Sequence, residues 1–213
     1  MTRPLPESVE AVRAILDVSR ESAERLSIYV DLLKRWQKRI NLVSGKTVEN
    51  LWTRHVADSA QALAAAPNAR RWMDLGSGAG FPGIVTAILL AETPGASVDL
   101  VESDQRKASF LRTVSRETGI PATVHVARIE DVVADWTAPV DAVSARALAP
   151  LSRLCGYTES MVGHGAVAVF HKGRDFSREL EEANRFWIID LVEKVSSIEP
   201  DSRIVVIRHL QRR

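Results

Sequence analysis

The chain has one cysteine, Cys155, so no disulfide can close within it, and no Cys/His spacing suggests zinc. Aromatic residues are few, 6% of 213. The longest apolar stretch, Ile84–Ala91, falls far short of the ~20 residues that span a bilayer. The first dozen residues carry Pro4, Pro6, Glu7 and Glu10 and lack the apolar core of a secretion signal. Excess charge of either sign is also missing. Lys plus Arg is 28 against 27 Asp plus Glu, a net charge of +1, which excludes a polybasic tail and an acidic solvating chain. Repeats and low-complexity tracts are absent. These absences read as a soluble, cytoplasmic protein with no metal and no membrane partner, and no obligate protein partner is evident.

What is present is an ordinary globular balance, 46% apolar and 26% charged. The length suits one domain with a small appendage, and two regions differ in character. Residues 1–66 read as a helical extension packed on the core. Its clearest helix is Glu21–Ile40, where Leu26, Tyr29, Val30, Leu33, Trp36 and Ile40 form one apolar stripe. Shorter helices are expected over Glu7–Val18 and Glu49–Ala65, with a turn at Asn41–Lys46.

Residues 67–213 alternate between strands and helices. Strands are expected at Trp72–Leu75, Val98–Glu102, Val124–Ala127, Val140–Ala145, Ala166–His171, Trp187–Val195 and Arg203–His209. Helices are expected at Pro82–Ala91, Asp104–Thr118, Leu148–Val162 and Ser177–Asn184. Ser196–Ser202 is too short for a crossover helix, so the last two strands must be antiparallel neighbours. The pattern gives an α/β fold: a mostly parallel, seven-stranded, doubly wound sheet with an antiparallel C-terminal edge.

Asp74-Leu75-Gly76-Ser77-Gly78-Ala79-Gly80-Phe81-Pro82-Gly83 follows a strand and opens a helix. Glycines let the backbone turn sharply and approach a ligand closely. Phe81 stands where the dinucleotide fingerprint has its third glycine, and no Lys-Ser or Lys-Thr of a P-loop follows. The spacing suits a ligand with an adenosine and no pyrophosphate. Glu102 ends the second strand, where an acid accepts hydrogen bonds from ribose hydroxyls. Asp74 and Glu102 are the candidate acids of this pocket.

Further segments occur in order: Asn41-Leu-Val-Ser44, Arg54-His55-x-x-Asp58-Ser59, Lys107-x-x-Phe110-Leu-Arg112, Arg128-x-Glu130, Ser144-Ala-Arg146-Ala147 and Lys172-Gly173. With the glycine turn they resemble the glucose-inhibited division protein B family of class I, Rossmann-like methyltransferases. Ser144-Ala145-Arg146 departs from the family's more usual Ser-Arg by one alanine. The resemblance implies that S-adenosyl-L-methionine donates a methyl group to N7 of a guanine in small-subunit ribosomal RNA. It also implies that Gly76, Gly78 and Phe81 line the pocket, that Ile129 and Glu130 contact adenine, and that Arg146 sits beside the methionine end.

Guanine N7 carries a free in-plane lone pair, so the reaction needs no dedicated general base, and none is apparent among the five scattered histidines. Positioning alone supplies up to ~7–11 kcal/mol, and Arg146 is the candidate positioning group. Cys155 follows Leu154 inside a helix and suits buried packing better than nucleophilic catalysis. Lys34, Arg35, Lys38, Arg39, Lys46 and Arg54 face only Glu49 within residues 34–54. Such a patch suits phosphate contacts, although an ordinary solvated helix face has the same composition. Asn41, Arg54 and His55 extend the candidate RNA surface, as do Lys172 and Arg174 after the fifth strand. Trp36 and Trp52 fit apolar positions and are expected in the core. Two competing functions are a nicotinamide-dependent oxidoreductase, which Phe81 argues against, and a non-catalytic RNA-binding protein.

Overall fold

The structure, a computed structural model, describes residues 5–213; Pro4 lies outside them. Seven strands form one sheet: β1 (Arg71–Leu75), β2 (Ser97–Val101), β3 (Ala122–His125), β4 (Ala142–Arg146), β5 (Val167–Lys172), β6 (Trp187–Val195) and β7 (Arg203–Arg212). Their order is β3-β2-β1-β4-β5-β7-β6. β1 to β5 pair in parallel, and β7 runs antiparallel to both β5 and β6. The reversed strand β7 is therefore inserted between β5 and β6, and β6 forms the edge. Trp72, Met73, Asp74 and Leu75 of β1 are all buried, as expected of a parallel strand covered by helices on both faces.

On one face, α4 (Gly83–Leu89) and α5 (Gln105–Thr118) meet the N-terminal helix α2 (Arg20–Gln37). Leu26, Tyr29 and Leu33 of α2 share one core cluster with Ile84, Ile88, Phe110 and Val114. Ser19 caps α2 by accepting the Ser22 N–H at 3.1 Å, and Asp104 caps α5 through the Arg106 and Lys107 N–H groups. The other face is covered by α6 (Ile129–Asp135), α7 (Leu151–Gly163) and α8 (Phe176–Ala183). There Leu154, Cys155, Phe176 and Trp187 pack on Met73, Val143 and Phe170.

Two expected elements differ, and a third element is unexpected. Glu7–Val18 contains only the single turn α1 (Glu10–Arg13), after which the chain opens into turns toward the Ser19 cap. The helix expected over Glu49–Ala65 is a composite of a 3-10 helix (Gly45–Asn50), a π-helix (Trp52–Ala57) and α3 (Asp58–Ala65). α6 was not anticipated. Its seven residues offer only Ile129, Val132 and Val133 to the core, too few to announce a helical period.

Candidate active site

Strand order reverses between β1 and β4, the place where open α/β sheets bind ligands beyond the carboxyl ends of their strands. A cavity of about 550 Å³ lies there, lined by the glycine turn after β1, Glu102 after β2, the start of α6 and the loop after β4. Gly76 and Gly78 both adopt left-handed backbone, at φ +66° and +56°. A Cβ on Gly76 would lie 2.6 Å from Leu148 Cδ1, so Leu148 closes over the turn only because no side chain is there. A Cβ on Gly78 would meet nothing nearer than the Gly76 carbonyl at 3.7 Å, so at Gly78 the cavity itself supplies the free space.

Glu102 braces this turn. It accepts the Gly78 N–H at 2.8 Å on Oε2 and the Asp104 N–H at 2.7 Å on Oε1. The carboxylate is buried yet lines the cavity, and each oxygen keeps a further lone pair for a ligand hydroxyl. Asp74 is a correction to the sequence reading. It points under the turn, accepts the Ser144 hydroxyl at 2.6 Å and does not line the cavity. Burial pushes its carboxyl up to about 6. Its role is to tie β1 to β4.

These features fit S-adenosylmethionine. The left-handed glycine cradle admits a ligand where a Cβ would intrude, and Glu102 presents an acceptor pair suited to a diol. Ile129 and Leu148 supply apolar wall for an adenine. Glu130 also lines the cavity, but its carboxylate is already engaged by the Tyr157 hydroxyl at 2.7 Å and the Arg153 guanidinium at 2.9 Å. Those partners hold it at about 2.

The far wall is built by the N-terminal segment. His55, on the π-helix, stacks on Phe81 with ring centroids 4.9 Å apart and planes 24° apart. Tyr29 supports Phe81 from behind at 5.6 Å, and its hydroxyl donates to the Ala79 carbonyl at 2.7 Å. Burial, reinforced by the Arg146 charge, lowers His55 to about 4. Arg146 ends β4 and turns its guanidinium toward the π-helix. Nη2 donates to the Arg54 carbonyl at 2.7 Å and lies 3.3 Å from the Asp58 carboxylate. Asp58 is held in turn by Gln61 and Ser196, each at 2.9 Å. The sharp bend after Arg146 passes through Ala147, a non-glycine residue at φ +51°, a strained conformation of the kind that clusters at functional sites.

The profile of the rRNA small subunit methyltransferase G family matches residues 22–206, which span the cavity, the π-helix, β6 and the first part of β7. The chain belongs to this family. A relative named Ribosomal RNA small subunit methyltransferase G from Bradyrhizobium sp. (strain BTAi1) is 52% identical over 180 residues, covering 84% of this chain and 81% of that protein. The protein of the same name from Brucella anthropi is 48% identical over 205 residues, 96% of each chain. Among solved structures, the O-methyltransferase TomG from Streptomyces achromogenes, in complex with SAM, aligns at TM-score 0.60 and 16% identity. That alignment covers 98% of this chain and 100% of that one and shows a shared fold.

Within this family member the basic residues fall into distinct places. Lys34, Arg35, Lys38, Arg39 and the neighbouring Asn41 lie at the end of α2 and just beyond it, and all five are exposed. Arg54 is exposed but pairs with Glu199 at 3.0 Å, and Arg174 is exposed in the loop after β5. Lys172 is a second correction. It is buried, ion-paired with Glu179 at 2.5 Å and bonded to the Ala149 carbonyl at 3.0 Å, so it fastens α8 to the loop before α7 and offers no charge to RNA. Cys155 is buried, its thiol pushed up to about 12 by desolvation, which leaves no thiolate for nucleophilic attack. Trp36 packs against Phe110 at 5.7 Å, as expected of a core residue. Arg128, Arg153 and Tyr157 also line the cavity. Arg128 stood inside a recognised segment; the two α7 residues carried no sequence signal. Among the described residues no helix is long and apolar enough to cross a membrane, and no cluster of three metal-ligating side chains occurs.

Proposed function

We propose that this chain moves the methyl group of S-adenosylmethionine onto N7 of a guanine in small-subunit ribosomal RNA, by in-line displacement and without a dedicated general base. Its place of action is the cytoplasm, on ribosomal RNA or the small ribosomal subunit. The observation that carries the reading is a single cavity bounded by the Glu102-braced glycine turn on one side and the His55–Phe81 stack on the other. Residues 67–213 supply the cofactor wall, and the helical extension, residues 1–66, supplies the substrate wall.

When bound, S-adenosylmethionine supplies an electrophilic methyl on a sulfonium. Gly76, Gly78, Glu102 and Ile129 would hold the nucleoside, and Phe81 lines the same cavity. Guanine N7 attacks through a lone pair that needs no prior deprotonation, so the protein's task is alignment. The base becomes cationic as N7 is methylated. A neutral imidazole at His55 suits that outcome, because a protonated one would repel the product. Lowering His55 to about 4 keeps it uncharged at neutral pH. Arg146 positions His55 from behind, by capping the backbone of the π-helix. Lys34, Arg35, Lys38, Arg39, Asn41, Arg54 and Arg174 provide the phosphate-facing surface, and His55 faces the base.

The test is incorporation of tritiated methyl from S-adenosylmethionine into purified small subunits, digested to nucleosides. Label in N7-methylguanosine is the expected result. Label in another nucleoside, or none, overturns the assignment.

A further inference from the structure

A second concavity, an open groove, adjoins the cavity and shares two of its lining residues, Arg153 and Tyr157 of α7. Its other wall is the corner between α8 and β6, with Arg185, Phe186 and Trp187, joined by Arg212 from the end of β7. Among the described residues, none that lines it is acidic.

Two features set this groove apart from an ordinary surface depression. Phe186 is 63% exposed, although an aromatic ring normally avoids water. Its backbone is fixed: its N–H donates to the Ala183 carbonyl at 3.0 Å and its carbonyl accepts the Arg213 N–H at 2.9 Å. The ring is thus held out on a rigid corner. The guanidiniums are also arranged in order. Arg212 lies 5.1 Å over the Trp187 ring and Arg153 lies 5.4 Å over the Tyr157 ring. Their ion pairs, Arg212 with Glu159 at 3.3 Å and Arg153 with Glu130 at 2.9 Å, are surface pairs, as is Arg185 with Glu181 at 4.0 Å. Exposed pairs of this kind contribute under ~1 kcal/mol, so a phosphate can displace their carboxylates.

An exposed aromatic face flanked by guanidiniums is how proteins hold single-stranded nucleic acid: bases stack and phosphates pair. We propose that this groove is a second RNA-binding site, in which an unpaired base of the substrate RNA stacks on Phe186 while Arg185 and Arg212 contact its phosphates. The basic end of α2 belongs to the helix layer on one face of the sheet; the groove belongs to the layer on the other. The cavity lies between them, so an RNA strand crossing its mouth is gripped on both sides of the target guanine. This inference rests on the proposed action on ribosomal RNA.

The experiment measures Kd and KM for purified small subunits, and Kd for an unstructured RNA oligonucleotide, at several salt concentrations. The proteins are the wild type, Phe186→Leu, Phe186→Trp, and Arg185→Ser with Arg212→Ser. Affinity for S-adenosylmethionine by calorimetry checks folding. The proposal expects Phe186→Leu to weaken RNA binding by roughly fivefold to a hundredfold and Phe186→Trp to retain it. The double arginine variant should lower the magnitude of the log–log salt slope by about 1.4–1.8, the amount set by two neutralised phosphates. Cofactor affinity and kcat should stay unchanged throughout. Unchanged RNA affinity and slope in all three variants overturn the groove while leaving the proposed function standing. Equal losses in Phe186→Leu and Phe186→Trp overturn the stacking role. A wild type that neither binds nor methylates the subunit defeats the parent reading instead.

Discussion

Arg146 caps the π-helix that carries His55: its guanidinium donates to the Arg54 carbonyl at 2.7 Å and lies 3.3 Å from the buried carboxylate of Asp58. Residues 91 and 92 positions apart are thereby locked together. Removing the guanidinium leaves Asp58 as an uncompensated buried charge and strips the Arg54 carbonyl of its side-chain donor. Arg146→Ala is therefore expected to destabilise the fold by roughly 3–5 kcal/mol, read by urea unfolding. Arg146→Lys should recover only part of this, because an ammonium cannot reproduce the fork that spans both partners.

Glu102 carries two duties at one carboxylate, bracing Gly78 and facing the nucleoside. Glu102→Ala is expected to weaken S-adenosylmethionine binding by roughly 1.5–3 kcal/mol, the range for hydrogen bonds to a charged acceptor. Calorimetry on a variant with a native circular dichroism spectrum checks it. A loss of less than tenfold in affinity removes Glu102 from the ribose-binding role.

His55 predicts a pH signature. Its folded value of about 4 lies below the ordinary 6.5, chiefly through burial. Above pH 6.5 the imidazole is neutral in both states and contributes no pH dependence. As pH falls from 6.5 toward 4, the unfolded chain takes up a proton that the folded chain refuses, so stability drops, by at most roughly 3 kcal/mol. Asp74, raised to about 6 by burial, works in the opposite direction over much of the same window. Subtracting the stability curve of His55→Gln from that of the wild type isolates the histidine. A flat difference between pH 4 and 6.5 contradicts the half-buried neutral imidazole.

How much of this is legible in the sequence follows physical lines. The glycine turn and Glu102 were legible because left-handed backbone demands glycine and strand ends place acids at fixed spacing. The antiparallel end of the sheet followed from the short link at Ser196–Ser202. The π-helix was not legible, since Trp52–Ala57 shows the same apolar spacing as an α-helix and its carbonyl is satisfied by Arg146, from a distant strand. Lys172 after a strand resembles a surface lysine; only the fold brings Glu179 onto it. Arg153 and Tyr157 reach the cavity because α6 sits beside α7, a contact that no local pattern encodes.

The basic end of α2 makes a prediction about salt. Replacing Lys34, Arg35, Lys38 and Arg39 with Ser should leave cofactor affinity intact. It should weaken binding to the small subunit and reduce the magnitude of the log–log salt slope by about 0.7–0.9 for each phosphate no longer neutralised. If the slope is unchanged, that face is only solvated, and the phosphates are held elsewhere around the cavity.

The central claim, methyl transfer to guanine N7 in small-subunit ribosomal RNA, is tested most directly by mapping N7-methylguanosine in that RNA. Cells lacking the gene are compared with cells complemented by the wild type or by Glu102→Ala. The account predicts one modified guanine that vanishes without the gene, returns with the wild type and returns poorly or not at all with the variant. An identical N7-methylguanosine map in cells with and without the gene would contradict it.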